Sequence, residues 1–242
     1  MDADNSDKKL CRIGGAAVAL TVVCYIVECF TFSGMPSTAL EWFALFQRSR
    51  FRGLFYINAL DIFSIALLCP MFMALHRILK RDDRAWMTAA TSFAFLGIAV
   101  FVTTRSILTS ATITLSERFA SAASEAERGS IIIAGQAIDA LGQATPQTLG
   151  FFFMAVAVSI ASIVMLQSRA FGRVHAIAGI LAGAFTFADD IAIIAVPSLS
   201  VPCLVVSGLF WVAWWIMMGI KLLMLGGRGT AGDTAWTDPR SD

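Results

Sequence analysis

Five ionisable side chains stand inside long apolar stretches of the sequence, and their chemistry is out of place there. Four are acids, Glu28, Asp61, Asp189 and Asp190, and the fifth is Arg105. A carboxylate at the centre of a membrane span costs about 2.5–3.5 kcal/mol, so four acids facing lipid would cost on the order of 10 kcal/mol. We therefore expect these groups to face the interior of a helix bundle, where they can meet partners, water or a cation.

Two further polar residues accompany the acids at helical spacing. Tyr25 precedes Glu28 by about one turn, and Asn58 precedes Asp61 by about one turn, which places each pair on one helix face. Four acids against one guanidinium leave a surplus of negative charge, so either some carboxyls are protonated or a cation is bound. The predicted binding site is an acidic cavity formed by Glu28, Asp61, Asp189, Asp190, Arg105, Asn58 and Tyr25.

Membrane-spanning helices are the elements that must position these groups. The chain of 242 residues is 57% apolar and 14% charged, whereas a soluble domain is about 45–50% apolar and about 25% charged. A span needs about 20 apolar residues. Six such runs occur, at roughly 13–34, 54–76, 86–108, 147–167, 174–196 and 201–225. The predicted fold is an all-α polytopic membrane bundle of six transmembrane helices with a small helical cap on the outer side.

The predicted organisation is one membrane domain between two short tails. Residues 1–12 are the N-terminal tail, 13–225 the six spans, and 226–242 a C-terminal tail that we expect to be disordered. The first span could instead be a cleaved signal peptide, because a basic stretch precedes it, but its length and Glu28 near its end favour a span.

The distribution of lysine and arginine predicts the orientation. Twelve of the 18 lysines and arginines lie at the two termini and in the loops on the same side of the membrane as the termini. The other six lie on the opposite side. Lysine and arginine collect in cytoplasmic loops, so both termini are predicted to be cytoplasmic. The five ionisable residues then all fall in the outer half of the membrane.

Two segments outside the spans are candidates for the cap. Residues 39–50 are either a short helix in the outer interface or an ordinary loop. Residues 109–144 have apolar residues at helical spacing, and we expect two helical pieces, with Ser130 capping the second after Gly129, that end before Pro146.

Catalytic and cofactor motifs are missing from the sequence. It contains no Gly-x-Ser-x-Gly, His-Glu-x-x-His, P-loop or Cys-x-x-Cys. His76 and His175 lie at the ends of spans, where they cannot ligate a haem in the membrane core. Lys221 is interpreted as snorkelling to the inner interface, because a retinal protein would need a seventh span. We predict no cofactor beyond a possible bound cation, leave a metal undecided, and favour a protein that is not an enzyme.

Diffuse motifs in the second half of the chain resemble an uncharacterised bacterial family. Residues 116–143, SERFASAASEAERGSIIIAGQAIDALGQ, and 166–183, LQSRAFGRVHAIAGILAG, are similar to the membrane family called domain of unknown function 4386. The shared features include an inner turn before a glycine-rich span and a tryptophan-containing last span, here with Arg173, Trp211 and Lys221. The resemblance implies six helices in a bacterial inner membrane and no particular activity.

The leading functional hypothesis is an outward-facing site for a proton, a cation or a small cationic solute in a transporter-like or sensory protein. The alternative is an accessory or structural membrane subunit whose buried polar groups only fix helix packing. With a net charge of +1 there is no basic excess to bind nucleic acid. The predicted partners are therefore the lipid bilayer and, under the leading hypothesis, a proton or cation, while protein partners stay open.

Overall fold

The computed structural model describes residues 2–31, 36–143 and 145–227 of the chain. Most residues in these ranges are helical, and the ranges contain no strand. In chain order the elements are α1 (Asp2–Thr31), α2 (Ala39–Arg48), α3 (Arg50–Leu54), a π-helical turn (Phe55–Ala59), α4 (Leu60–Ala66), α5 (Leu68–Leu79), α6 (Arg84–Ser121), α7 (Glu125–Gln143), α8 (Thr145–Gln167), α9 (Arg173–Ala195) and α10 (Pro197–Gly227).

Six segments of the described chain are long and apolar enough to cross a membrane, which confirms the predicted polytopic bundle. They are α1, the pair α4–α5, α6, α8, α9 and α10. Each span packs against the next along the chain, and α10 returns to pack against α1. The spans therefore form a closed ring whose interior is filled by large side chains such as Phe72 and Trp214, with ring centroids 6.4 Å apart.

Glycines allow two spans of the ring to approach closely. A Cβ built on Gly97 of α6 would lie 2.7 Å from the carbonyl oxygen of Gly150 of α8. Small residues at helix contacts are typical of membrane bundles, because association there depends on close packing. A side chain at position 97 would force α6 and α8 apart.

The second span is broken into short segments. A π-helical turn precedes α4, and α4 ends at Ala66, one residue before α5 begins. Pro70 in the second segment lacks the N–H that would bond to the carbonyl of Ala66, which favours the interruption. Near the break, the hydroxyl of Thr21 in α1 donates a hydrogen bond to the carbonyl of Ser64 at 3.0 Å.

Both ends of the described chain lie on the same side of the bundle. Asp7 of α1 forms ion pairs with Arg77 at 2.5 Å and with Arg81 at 3.5 Å, at the end of α5. Arg12 Nε donates a hydrogen bond to the carbonyl of Gly226 at 2.7 Å. The start of α1, the end of α10 and the turn between the second and third spans are therefore neighbours. Residues 228–242, most of the predicted C-terminal tail, lie outside the described ranges.

The opposite side of the bundle carries the helical cap. At 1.5 Å per residue, the 38 residues of α6 rise about 57 Å, far beyond a hydrocarbon core of about 30 Å. The projecting part packs against α2, whose Phe43 is fully buried and lies 5.5 Å from the Phe119 ring. Ser116 also donates a hydrogen bond to the carbonyl of Phe43 at 3.1 Å. The helical interpretation of residues 39–50 is confirmed, and the loop interpretation is wrong.

The prediction that Ser130 caps a separate helical piece is wrong. Helix α7 begins at Glu125 and continues through Gly129. The amide of Glu127 donates to Ser124 Oγ at 3.2 Å, and Glu127 Oε2 accepts from the amide of Ala123 at 2.9 Å. This reciprocal cap satisfies the first turn. Ser130 instead donates to the carbonyl of Ala126 from inside the helix.

Candidate functional site

Three consecutive spans bring Glu28, Asp61 and Arg105 together. The carboxyl groups of Glu28 and Asp61 lie close enough to interact with each other and with Arg105. Arg105 Nη2 lies 3.9 Å from Asp61 Oδ2, and the side chains of this ion pair are 14% and 30% exposed. The distance is too long for a direct hydrogen bond, so the guanidinium acts on Asp61 mainly through its charge. We call Glu28, Asp61 and Arg105 the acid–base triad.

The net charge of the triad depends on whether its two carboxyl groups share a proton. A carboxylate can only accept hydrogen bonds, so a hydrogen bond between two carboxyl groups requires a proton on one of them. With that proton, one carboxylate balances the charge of Arg105 and the triad is neutral. Without it, two carboxylates face one guanidinium and the triad carries one negative charge. The geometry can therefore bind and release a single proton.

The irregular second span positions Asp61. Asp61 is the second residue of the seven-residue helix α4, directly after the π-helical turn. Ser64 Oγ donates to the carbonyl of Asp61 at 3.0 Å, while the carbonyl of Ser64 accepts from Thr21. Asn58 belongs to the π-helical turn, but its side chain lies outside the described part of the structure. Single π-helical turns inside helices are frequent at functional sites.

Arg105 sits near the end of the bundle that carries the cap. Between Arg84 and Arg105 the helix rises about 32 Å at 1.5 Å per residue, which is close to the thickness of the hydrocarbon core. The guanidinium carbon lies 5.5 Å from the centroid of the Phe101 ring, one turn earlier on α6. Contact with an aromatic face favours a partly desolvated cation. Phe101 therefore helps to hold Arg105 beside the acids.

Tyr25 links the acid–base triad to the last span. Its hydroxyl interacts with Cys29 and lies within electrostatic range of Glu28 and Asp61. Its ring meets Trp215 of α10 edge-on, with centroids 6.0 Å apart. The same hydroxyl would lie 3.6 Å from a Cβ built on Gly208 of α10, so it faces the backbone of that span. Tyr25 thus contacts α10 and lies within electrostatic range of the triad.

Asp189 and Asp190 belong to a second group, formed by α9 and α10. Ser200 Oγ donates to Asp189 Oδ1 at 2.6 Å, and Asp189 is buried. Asp190 Oδ2 is buried and has no hydrogen-bond partner among the described residues. The described contacts therefore divide the predicted site residues into two groups. Ser200 was missed from the sequence, although a serine in the first turns of α10, just after the short α9–α10 connection, could have indicated it.

A cluster of hydrogen-bonded side chains, about one turn before Asp189 on α9, joins α9 to α10. The hydroxyls of Thr186 and Ser207 lie 2.8 Å apart, and Trp211 Nε1 donates to Thr186 Oγ1 at 3.0 Å. All three residues are buried. Each polar group has a partner, so this cluster acts as an interhelical link and needs no ligand to complete it.

Within the described ranges, no group of three or more histidine, cysteine or acidic side chains is placed to hold a metal ion. The triad offers two carboxyls next to a guanidinium, and such a set favours a proton over a divalent cation because the arginine repels the cation.

Comparison with known proteins places the chain in a family. The family model described as "Domain of unknown function (DUF4386)" matches residues 13–226, which contain all six spans. No curated protein and no solved structure matches the chain. From the match over most of its length and from its six membrane-spanning segments, this chain is a multi-pass membrane protein that belongs to the DUF4386 family.

Proposed function

We propose that this chain is a proton-responsive multi-pass protein of the bacterial inner membrane and that the acid–base triad is its proton site. The supporting observation is that two neighbouring carboxyl groups interact with one guanidinium on three adjacent spans. Intramembrane ionisable groups of this kind mark proton and ion pathways in many membrane proteins.

The proposed orientation lets the site exchange protons with the outside. Twelve of the 18 lysines and arginines lie on the side of the termini, which favours a cytoplasmic location for that side. Arg77 and Arg81, which pair with Asp7, belong to this basic side. The triad lies toward the opposite end of the bundle and would face the periplasm.

The broken second span suggests how proton binding could produce a change of shape. Discontinuous helices carry the ion sites of many transporters, because the interrupted backbone can move without unwinding a whole helix. Asp61 stands on the short α4 between the π-helical turn and the break at Leu67. Loss of the shared proton would set two carboxylates against each other and push α4 away from α1. A transporter-like or sensory role follows from such a motion.

Proton uptake by the purified full-length chain tests the proposal. In weakly buffered detergent solution, acidification from alkaline pH should load one more proton per chain into the wild type than into Glu28→Gln. Asp61→Asn should lose the same proton. Infrared difference spectra should show the C=O stretch of a protonated carboxylic acid in the wild type and not in either variant.

Glu117→Gln is the matched control, because Glu117 is an exposed carboxylate on the same side whose partner is Arg50. It should leave the triad's infrared band in place. Equal bands and equal proton uptake in the wild type, Glu28→Gln and Asp61→Asn would overturn the proposal. Removal of the band by sodium ions at constant pH would instead identify the triad as a cation site.

A structural or accessory role is the second candidate, and specific contacts favour it. The Thr21–Ser64 and Thr186–Ser207 contacts join neighbouring spans through neutral, satisfied hydrogen bonds. If the triad has the same role, Asp61→Asn should fold like the wild type, and already the wild type should show no extra proton uptake on acidification. A stable protein partner should co-purify with the wild type and with Asp61→Asn.

A further inference from the structure

We propose that the cap side of the bundle contains a binding site for one anionic phospholipid, separate from the acid–base triad. The site is an open pocket of about 560 Å³ between α2, α3 and the start of the second span. Its volume lies within the roughly 300–1,000 Å³ typical of small-molecule sites. The residues that line it are Leu45, Phe51, Arg52, Phe55 and Tyr56.

The pocket is held in shape by the joint between α2 and α3. A Cβ built on Gly53 would lie 2.5 Å from the ring of Phe46, so the two short helices are in direct contact there. Ser49 caps α3 through its side chain, which accepts a hydrogen bond from the amide of Arg52 at 3.3 Å. These contacts fix the backbone of the α2–α3 joint. The pocket therefore has a fixed wall beside the outer end of the membrane-spanning bundle.

One arginine lines the pocket, and two others are close to it in sequence. Arg48, Arg50 and Arg52 lie within five residues, on the side of the bundle that is otherwise poor in basic residues. Arg50 is paired with Glu117. The side chain of Arg52 lines the pocket and makes no hydrogen bond or ion pair with any residue in the described ranges. A guanidinium binds phosphate through two parallel N–H donors, so Arg52 is suited to a phosphate headgroup.

The rest of the lining is apolar, which selects a lipid over a free anion. Phe51 is 79% exposed, so its ring is open to contact with a lipid chain. Phe55 and Tyr56 form an edge-on aromatic pair with centroids 6.1 Å apart, and aromatic residues favour the boundary between lipid and water. An acyl chain against these rings would bury the apolar surface while its phosphate reaches Arg52. Inorganic phosphate would gain only the contact with Arg52.

The same arginine determines which headgroup charge the site prefers. A zwitterionic headgroup would bring an ammonium group close to Arg52, whereas phosphatidylglycerol brings only the phosphate. Basic pockets at the membrane surface bind anionic headgroups for this reason. The occupant is therefore an anionic lipid of the leaflet on the cap side.

Native mass spectrometry of the full-length, delipidated chain tests this site. Titration with phosphatidylglycerol should give one tight adduct per chain, and phosphatidylcholine should bind at least tenfold more weakly. Arg52→Gln should weaken the phosphatidylglycerol adduct about tenfold, which corresponds to about 1.4 kcal/mol. Phe51→Ser should also weaken it, and because Phe51 is exposed, the change should not unfold the chain.

Arg118→Gln is the control, since Arg118 is an exposed arginine on the same side outside the pocket. It should bind phosphatidylglycerol like the wild type. The proposal is overturned if Arg52→Gln binds as tightly as the wild type, if Arg118→Gln loses as much affinity, or if both lipids bind equally. Competition by inorganic phosphate that removes the adduct at similar concentration would replace the lipid with a free anion and would also overturn it.

Discussion

A double-mutant cycle between Asp61 and Arg105 measures whether the triad acts as an electrostatic unit. The two charged groups are 3.9 Å apart, and a pair at that distance gains about 4 kcal/mol at an effective dielectric constant near 20. Both side chains are partly exposed, at 30% and 14%, and solvent screens the attraction. We therefore expect a coupling energy of about 2 kcal/mol between Asp61→Asn and Arg105→Gln.

Reversible unfolding in mixed micelles supplies the four free energies of the cycle. Asp61→Asn keeps the size of the side chain and an amide that can still bond to Glu28, so the cycle isolates the charge interaction. Each single variant should be less stable than the wild type, and the double variant should be less destabilised than the sum of the two. The exposed pair Arg50–Glu117, with side chains 74% and 54% exposed, is the control and should couple by about 0.2–1 kcal/mol.

The triad would be refuted as a unit by an additive result. Independent sites add within about 0.3–0.5 kcal/mol. A coupling energy for Asp61 and Arg105 inside that range, or no larger than that of the control pair, would mean that the two groups do not sense each other's charge. The single-proton interpretation of the neighbouring carboxyls would then lose its electrostatic basis.

Three further predictions concern packing and the cap. Gly97→Ala should lower the free energy of unfolding by about 1–3 kcal/mol, because the new methyl group meets a backbone carbonyl. The control Gly142→Ala, whose nearest contact is at 3.6 Å, should change the free energy of unfolding by less than about 0.5 kcal/mol. Equal effects of the two variants in mixed-micelle unfolding would contradict the close α6–α8 contact. Phe43→Ala should loosen the cap by about 3–5 kcal/mol, which limited proteolysis between α6 and α7 would detect, and an unchanged cleavage rate would exclude the packing described for α2. Hydrogen bonds from the backbone and hydroxyl of Ser37 hold the pKa of Glu41 below its ordinary value of 4.5, so this cap stabilises α2 above that pH and is lost as the pH falls through the lowered pKa. Amide exchange in the first turn of α2 should accelerate on acidification in the wild type and be insensitive to pH, after correction for intrinsic exchange, in Glu41→Gln.

The amino-acid sequence by itself determined the six spans and the presence of ionisable groups within them. An apolar run of about 20 residues satisfies its backbone hydrogen bonds in lipid only as a helix, so composition along the chain is enough to predict the element. The same logic identified Glu28, Asp61 and Arg105 as residues that need partners. The helical cap formed by residues 109–144 was also predicted, since its apolar residues recur at helical spacing, whereas residues 39–50 could have been a helix or a loop.

Tertiary structure alone decided which of those residues meet. Hydropathy does not specify how each helix is rotated about its axis or which spans are neighbours, and both depend on packing between residues far apart in sequence. The ring of helices joins Glu28 and Asp61 to Arg105, while Asp189 finds Ser200 on the other side of the short α9–α10 connection. Two other features have local causes that the pattern of apolar residues does not record. Pro70 favours the break in the second span, and the reciprocal cap of Ser124 and Glu127 starts α7 ahead of Ser130.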